Sequence, residues 1–208
     1  MVRRYSAMAA PEASATTIIS GRKGAQNQPS AMAAGTAQAA MPNLSDTARL
    51  ADGLHVVPEF LGNRAPFADP HARAIISGLG MERDLPSLTA LYVAGLCGIG
   101  YGLRQIIEAQ DKAGAPIDSI AISGGAGQSD LVRQILADTT GKPVVAAGAE
   151  EPVLLGSAIL AACAAGAVGN LAEGMSRMSR ASQTYAPAQG DIRRLHDNRY
   201  TAFCALQA

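Results

Sequence analysis

The chain has 208 residues, 48% of them apolar, 16% charged and 4% aromatic, and seventeen basic residues balance seventeen acidic ones. That length buries the core of one large or two small domains, while neutrality removes the electrostatic footprint of a nucleic-acid binder. The apolar content argues against wholesale disorder, and the separated Cys97, Cys163 and Cys204 make neither a disulfide framework nor a zinc cluster, so a reducing, cytoplasmic setting is expected.

Residues 1–52 read differently from the rest. They are rich in Ala, with scattered Ser, Thr, Gly, Gln and Pro, and hold no lasting apolar period. Arg3 and Arg4 are not followed by an apolar run, so no secretory signal is expected. Ile18-Ile19 is the only local β signal. The composition predicts a loose, low-complexity leader over 1–52 and a folded domain over 53–208.

From Gly53 the pattern changes. Leu54–Val57 predicts a short strand ended by Pro58. Residues 60–74 form a loop rich in Gly, Asn, Pro and Asp, and 75–79 a further extended piece. Pro86 opens a long helix, a good first-turn residue because the N–H it lacks would be orphaned anyway. Leu88, Leu91, Leu96, Ile99, Leu103 and Ile107 recur at helical spacing until Gly114 and Pro116 stop them. Gly95, Gly98 and Gly102 fall near one face of this helix, where they let a neighbour approach closely. They are not a ligand loop, because no strand precedes them.

Residues 117–122 predict a buried strand that runs into Ser123-Gly124-Gly125-Ala126-Gly127-Gln128-Ser129, and a helix follows at once to Asp138. Val144–Ala147 predicts another strand, and helices are expected over 152–165, 170–179 and 190–206. No charge occurs from Pro152 to Ala172, about the length of a membrane span. Its Ala and Gly content favours a buried helix with close neighbours over lipid. Helices alternating with strands predict an α/β layer with a parallel component, a small sheet covered by helices.

The glycine turn carries the chemistry. Without Cβ atoms its backbone can meet a ligand closely, and the N–H groups of the helix start face whatever sits there. In open α/β sheets ligands lie at the carboxyl ends of strands, which makes a nucleotide the natural guest. From local spacing alone, a ligand-free structural turn fits equally well.

At this point residues 53–207 resemble the C-terminal half of the FGGY carbohydrate kinases, nearest the pentulose (D-ribulose) kinase branch. The likeness is carried by Pro58–Pro70, by Leu91–Cys97 with Leu103–Ile106, by Ser123–Ser129 with Arg133–Asp138, and by Glu151–Leu160. The resemblance implies a partial actin-like ATPase (ribonuclease H-like) domain. It implies that Gly124, Gly125, Ala126 and Gly127 line the adenosine side of an ATP pocket, with Gln128 and Ser129 reaching the base or ribose. It also implies ATP and Mg2+ as cofactors and a small sugar as substrate. Ala126 and Gly127 depart from the family's usual Gly-Ala order, and Ala74 replaces a Gly. The family's catalytic aspartate, which takes the proton of the sugar hydroxyl, has no counterpart here, nor has its phosphate-binding Gly-Thr loop.

The expectation is therefore an interrupted kinase: a nucleotide-binding half, inactive alone, with no catalytic residue and no metal ligand of its own. Asn63 and Arg64 are weak substrate-binding candidates because they sit on a loop. Asp118, Asp130 and Asp138 lie nearest the glycine turn, and Asp130 suits a helix start without any chemistry. His55, His71 and His196 read as structural or solvent-facing, and Arg193, Arg194 and Arg199 as the solvated face of the last helix. The alternative is a non-catalytic nucleotide-binding or interaction module, pairing with itself through an exposed sheet edge. No nucleic acid and no membrane are expected as partners.

Overall fold

The computed structural model of the chain describes residues 15–21, 28–149 and 151–208. In chain order these form β1 (Ala15–Gly21), α1 (Gln28–Ala40), a 3-10 helix (Leu44–Ala51), β2 (His55–Val57), β3 (Ile75–Ser77) and α2 (Leu85–Lys112). Then come β4 (Ile117–Gly124), a 3-10 turn (Gly125–Gln128), α3 (Asp130–Thr140), β5 (Val144–Ala147), α4 (Pro152–Ala164), α5 (Leu171–Met178), β6 (Ala181–Tyr185) and α6 (Asp191–Leu206).

Local chemistry explains most of these limits. Asp84 is extended and its carboxylate accepts from the Ser87 N–H at 2.9 Å, with Pro86 in the first turn of α2. Gly114 follows the last turn at φ +75°, and Gly141 caps α3 at φ +71°. Asn170 accepts from the Glu173 N–H and starts α5.

One four-stranded sheet runs in the order β1-β4-β5-β6. β4 pairs in parallel with β1 and β5, and β6 is antiparallel to β5. β2 and β3 make a separate antiparallel hairpin. This is the α/β architecture that the alternation predicts.

α2 spans two cores. Its Val93, Ala94, Cys97 and Tyr101 meet Ala48, Val57, Leu131, Ile135 and Phe203. Further along, its Leu103 and Ile107 meet Ile117, Ile120, Ile122, Leu136 and Val144. Each Val, Leu, Ile or Phe among them, fully buried, contributes about 1.5–3 kcal/mol. α2 is long and apolar enough to cross a membrane by length and composition, yet half of its most apolar window is buried inside the fold. Close approach does use its glycines. A Cβ on Gly98 would overlap the Val56 carbonyl, and one on Gly100 the Thr139 side chain, whereas Gly95 and Gly102 face open space.

Three expectations are corrected. The stretch 1–52 is not a loose leader in its described part. β1 pairs along its length with β4, α1 buries Ala33 and Ala37, and the 3-10 helix buries Thr47, Ala48 and Ala51. Alanine packs closely without producing an amphipathic signal, which is why composition misleads there. Residues 1–14 and 22–27 lie outside the described residues.

Next, α4 is not a buried helix. Val153, Leu154 and Leu160 are exposed, and only Ile159 is buried, where α4 meets α5. Its main neighbour among the described residues is α5.

Finally, Arg199 is not on a solvated face. It is buried and donates through Nη1 to the Ala51 carbonyl and through Nη2 to the Leu54 carbonyl, both at 2.6 Å. The guanidinium thereby joins α6 to the end of the 3-10 helix. Arg194 does lie outward, paired with Asp191, whereas Arg193 is half-buried, with its guanidinium against Gly141 and paired with Asp197.

His196 is fully buried and bonded through Nδ1 to the Tyr101 hydroxyl at 2.9 Å. Burial, then the nearby Arg199 cation, lowers its pKa from 6.5 to about 4. The folded state thus holds the neutral imidazole, and its stabilisation is complete above pH 6.5. That stabilisation is lost as the pH falls from 6.5 toward 4, by about 3 kcal/mol at most. Thermal melts across that window should show a falling midpoint, and His196→Gln should flatten the fall; an equal slope in both proteins would count against this origin.

Candidate functional site

The site is built where β4 ends. β1 stops beside it, with Gly21 in register with Gly124, so the carboxyl ends of two parallel strands lie together. Gly124 has φ +85° and ψ −168°, a backbone region open to glycine and strained for other residues. The chain then makes the 3-10 turn and enters α3 through an extended Ser129.

The sequence pictures an open bend, and the structure gives one tight turn. Gly127 is buried, and a Cβ there would sit 3.3 Å from the carbonyl carbon and Cγ1 of Ile122. It is glycine for packing against the strand. The Ser129 hydroxyl accepts from the Val132 N–H at 3.4 Å and caps α3. Gln128 is exposed. Gly124 and Gly125 carry the backbone round the corner between them.

Arg133, one turn into α3, reaches back to this turn, as helical side chains lean toward the N-terminus. Its Nε donates to the Gly127 carbonyl at 2.7 Å, and Nη2 donates to the same oxygen. Nη1 donates to Asp130 at 2.9 Å and to the Tyr185 hydroxyl at 3.0 Å. The Tyr185 hydroxyl in turn donates to Asp130 at 2.7 Å. Asp130 is thus a brace at a helix start. Asp118 is exposed. Asp138 is buried, accepts from the Ala188 N–H and Gln134 on one oxygen, and has its pKa raised by burial. Its surroundings make it a structural anchor for the segment before α6.

Asn63 and Arg64 are not brought to the glycine turn. The hairpin that carries their loop packs on α2 and α6. Asn63 is used up internally. Its amide donates to Glu59, its side-chain oxygen accepts from the Phe67 N–H at 3.2 Å, and its backbone N–H donates to the Asp69 carbonyl at 2.7 Å. Arg64 is exposed and makes no ion pair among the described residues. No three His, Cys, Asp or Glu side chains among the described residues converge to hold a metal ion. Sequence reasoning missed the role of Arg133, although its spacing from Gly127 was a usable signal. It missed Tyr185 entirely, because only the sheet brings that strand here.

Comparison with known proteins identifies the family and the fold. The sequence profile of the FGGY family of carbohydrate kinases, C-terminal domain, matches residues 12–165. An FGGY carbohydrate kinase domain-containing protein of Homo sapiens is 39% identical over 153 residues, covering 74% of this chain and 28% of that protein. A D-ribulokinase of Saccharomyces cerevisiae is 39% identical over 116 residues, covering 55% of this chain and 16% of that protein. The solved structure of Plasmodium falciparum glycerol kinase with ADP has the same fold, with a TM-score of 0.63 at 19% identity over 88% of this chain and 34% of that one. The chain therefore spans about a third or less of the length of each of these relatives.

Gly124→Ala should cost about 1–3 kcal/mol, because alanine is strained at that φ and ψ. A thermal melt reads this directly, and an unchanged midpoint would contradict the backbone assignment.

Proposed function

This chain belongs to the FGGY family of carbohydrate kinases, and we propose that it forms the nucleotide-binding part of an ATP-dependent kinase for a pentulose such as D-ribulose. The observation that carries the reading is the passage from the central parallel strand through Gly124 into the turn and α3. Ligands in such sheets sit at the carboxyl ends of the strands, where glycine lets the backbone approach. The yeast D-ribulokinase supports the pentulose as substrate class, and the ADP in the glycerol kinase structure supports an adenine nucleotide.

The residues fit adenosine better than they fit a metal. Gly124, Gly125, Ala126 and the exposed Gln128 offer backbone and amide groups to a base and ribose, while Gly127 supports them from behind and Ser129 holds the helix start. Bound ATP supplies the phosphoryl group, transferred in line to a sugar hydroxyl. What these residues do is orient the nucleotide; its binding energy is then spent on position. Mg2+ is not assigned to ligands in this chain and would enter with the phosphates. The base that takes the sugar proton is assigned outside this chain too. The expected location is the cytoplasm, with neither nucleic acid nor membrane as partner.

A second reading is an interaction module, with the exposed Val153, Leu154 and Leu160 of α4 in its favour. Calorimetric titration with ATP and ADP, beside size-exclusion chromatography, separates the two. The kinase reading expects adenine-nucleotide binding and no turnover of D-ribulose by the chain alone. Self-association without nucleotide binding would favour the module, and turnover by this chain alone would overturn the division of the active site.

A further inference from the structure

A turn with glycine at 124, 125 and 127 has little preference of its own. Glycine gives up more backbone freedom on ordering than any other residue, and a single 3-10 turn is a weak structure. Something outside the turn must hold its shape. Its last carbonyls are also orphaned by the short helix, so they need donors.

We propose that Arg133 is a positioning residue for the nucleotide site: braced by Asp130 and by Tyr185 of β6, its guanidinium fixes the Gly125–Gln128 turn through the Gly127 carbonyl. The proposal rests on the reading that adenosine lies along this turn. Three observations carry it. Two of the guanidinium nitrogens, Nε and Nη2, converge on one carbonyl oxygen of the turn. The third, Nη1, is held by Asp130 and by the Tyr185 hydroxyl, which are themselves bonded together at 2.7 Å. The Arg133 side chain is only 14% exposed, and its guanidinium carbon lies 5.5 Å from the centre of the Tyr185 ring.

A planar fork satisfied on all three nitrogens cannot swing without breaking several bonds together. The turn is thereby locked to α3 and to the antiparallel edge strand. Tyr185 lies beyond the region matched by the family profile, which ends at residue 165. The shape of the glycine turn is therefore set partly by a strand outside the matched region.

The test compares the wild-type chain with Arg133→Ala, Arg133→Lys, Tyr185→Phe and the Arg133→Ala/Tyr185→Phe double variant. Amide hydrogen exchange is read over 124–129, and the Kd is measured for a fluorescent ADP analogue. In Arg133→Ala the turn amides should exchange about tenfold faster while those of α2 stay unchanged, and the Kd should rise about tenfold. Tyr185→Phe should do the same to a smaller degree and add nothing in the Arg133→Ala background. Arg133→Lys should restore only part of the loss, because an ammonium cannot reproduce the fork. Unchanged turn exchange in Arg133→Ala overturns the proposal, as does unchanged ADP affinity in a chain that binds ADP. A lower melting temperature alone, with both readouts unmoved, reduces Arg133 to general stability and overturns it too. If the wild-type chain binds no ADP while Arg133→Ala still loosens the turn, the adenosine reading fails and the Arg133 clamp on the turn stands.

Discussion

β4 is hydrogen-bonded on both sides, to β1 and to β5, and it carries Ile117, Ile120 and Ile122 into the core beneath α2 and α3. Those side chains are almost wholly removed from water. Because the strand is fixed along its length, its last residue is fixed too, and Gly124 turns the chain at a set point. Core and site therefore share one element. A shift of β4 would expose isoleucines and move the turn at the same time, so the apolar burial that stabilises the fold also aims the backbone of the site.

Polar groups join the remaining pieces. Arg199 closes α6 onto the carbonyls of Ala51 and Leu54, and Tyr101 with His196 links α2 to α6 in the same interior. Burying a cation is tolerable only when its hydrogen bonds are met, and the two carbonyls meet part of that need. The Gln105–Gln207–Glu59 chain of hydrogen bonds extends the tie to the loop that holds Asn63. That loop is consequently tied to α2 and α6 through Glu59, which also holds the Asn63 amide.

The family relationship and the fold are consistent with one another, and the chain spans only part of the length of the relatives it matches. The crest of the parallel strands offers backbone and one exposed amide. It offers no cluster of carboxylates among the described residues. The carboxylate that does stand at the turn, Asp130, is engaged by Arg133 and by the Tyr185 hydroxyl. The exposed Val153, Leu154 and Leu160 of α4 form a second apolar surface and the basis of the competing interaction reading.

The sequence by itself determined the elements from β2 to α6 other than β6, the strand–glycine–helix junction and the likeness of the chain to the FGGY kinases. These signals are local: apolar period, Pro86 and Ser129 at helix starts, Gly114 and Gly141 as stops. Tertiary structure alone decided that Ala15–Gly21 and the alanine-rich α1 belong to the fold, that Arg199 is buried, that α4 is bare, and that Tyr185 braces the turn through Arg133. Each of these depends on pairings across many residues of chain. Alanine and arginine look alike in sequence whether they face water or a neighbouring backbone, and only the packed partner settles which.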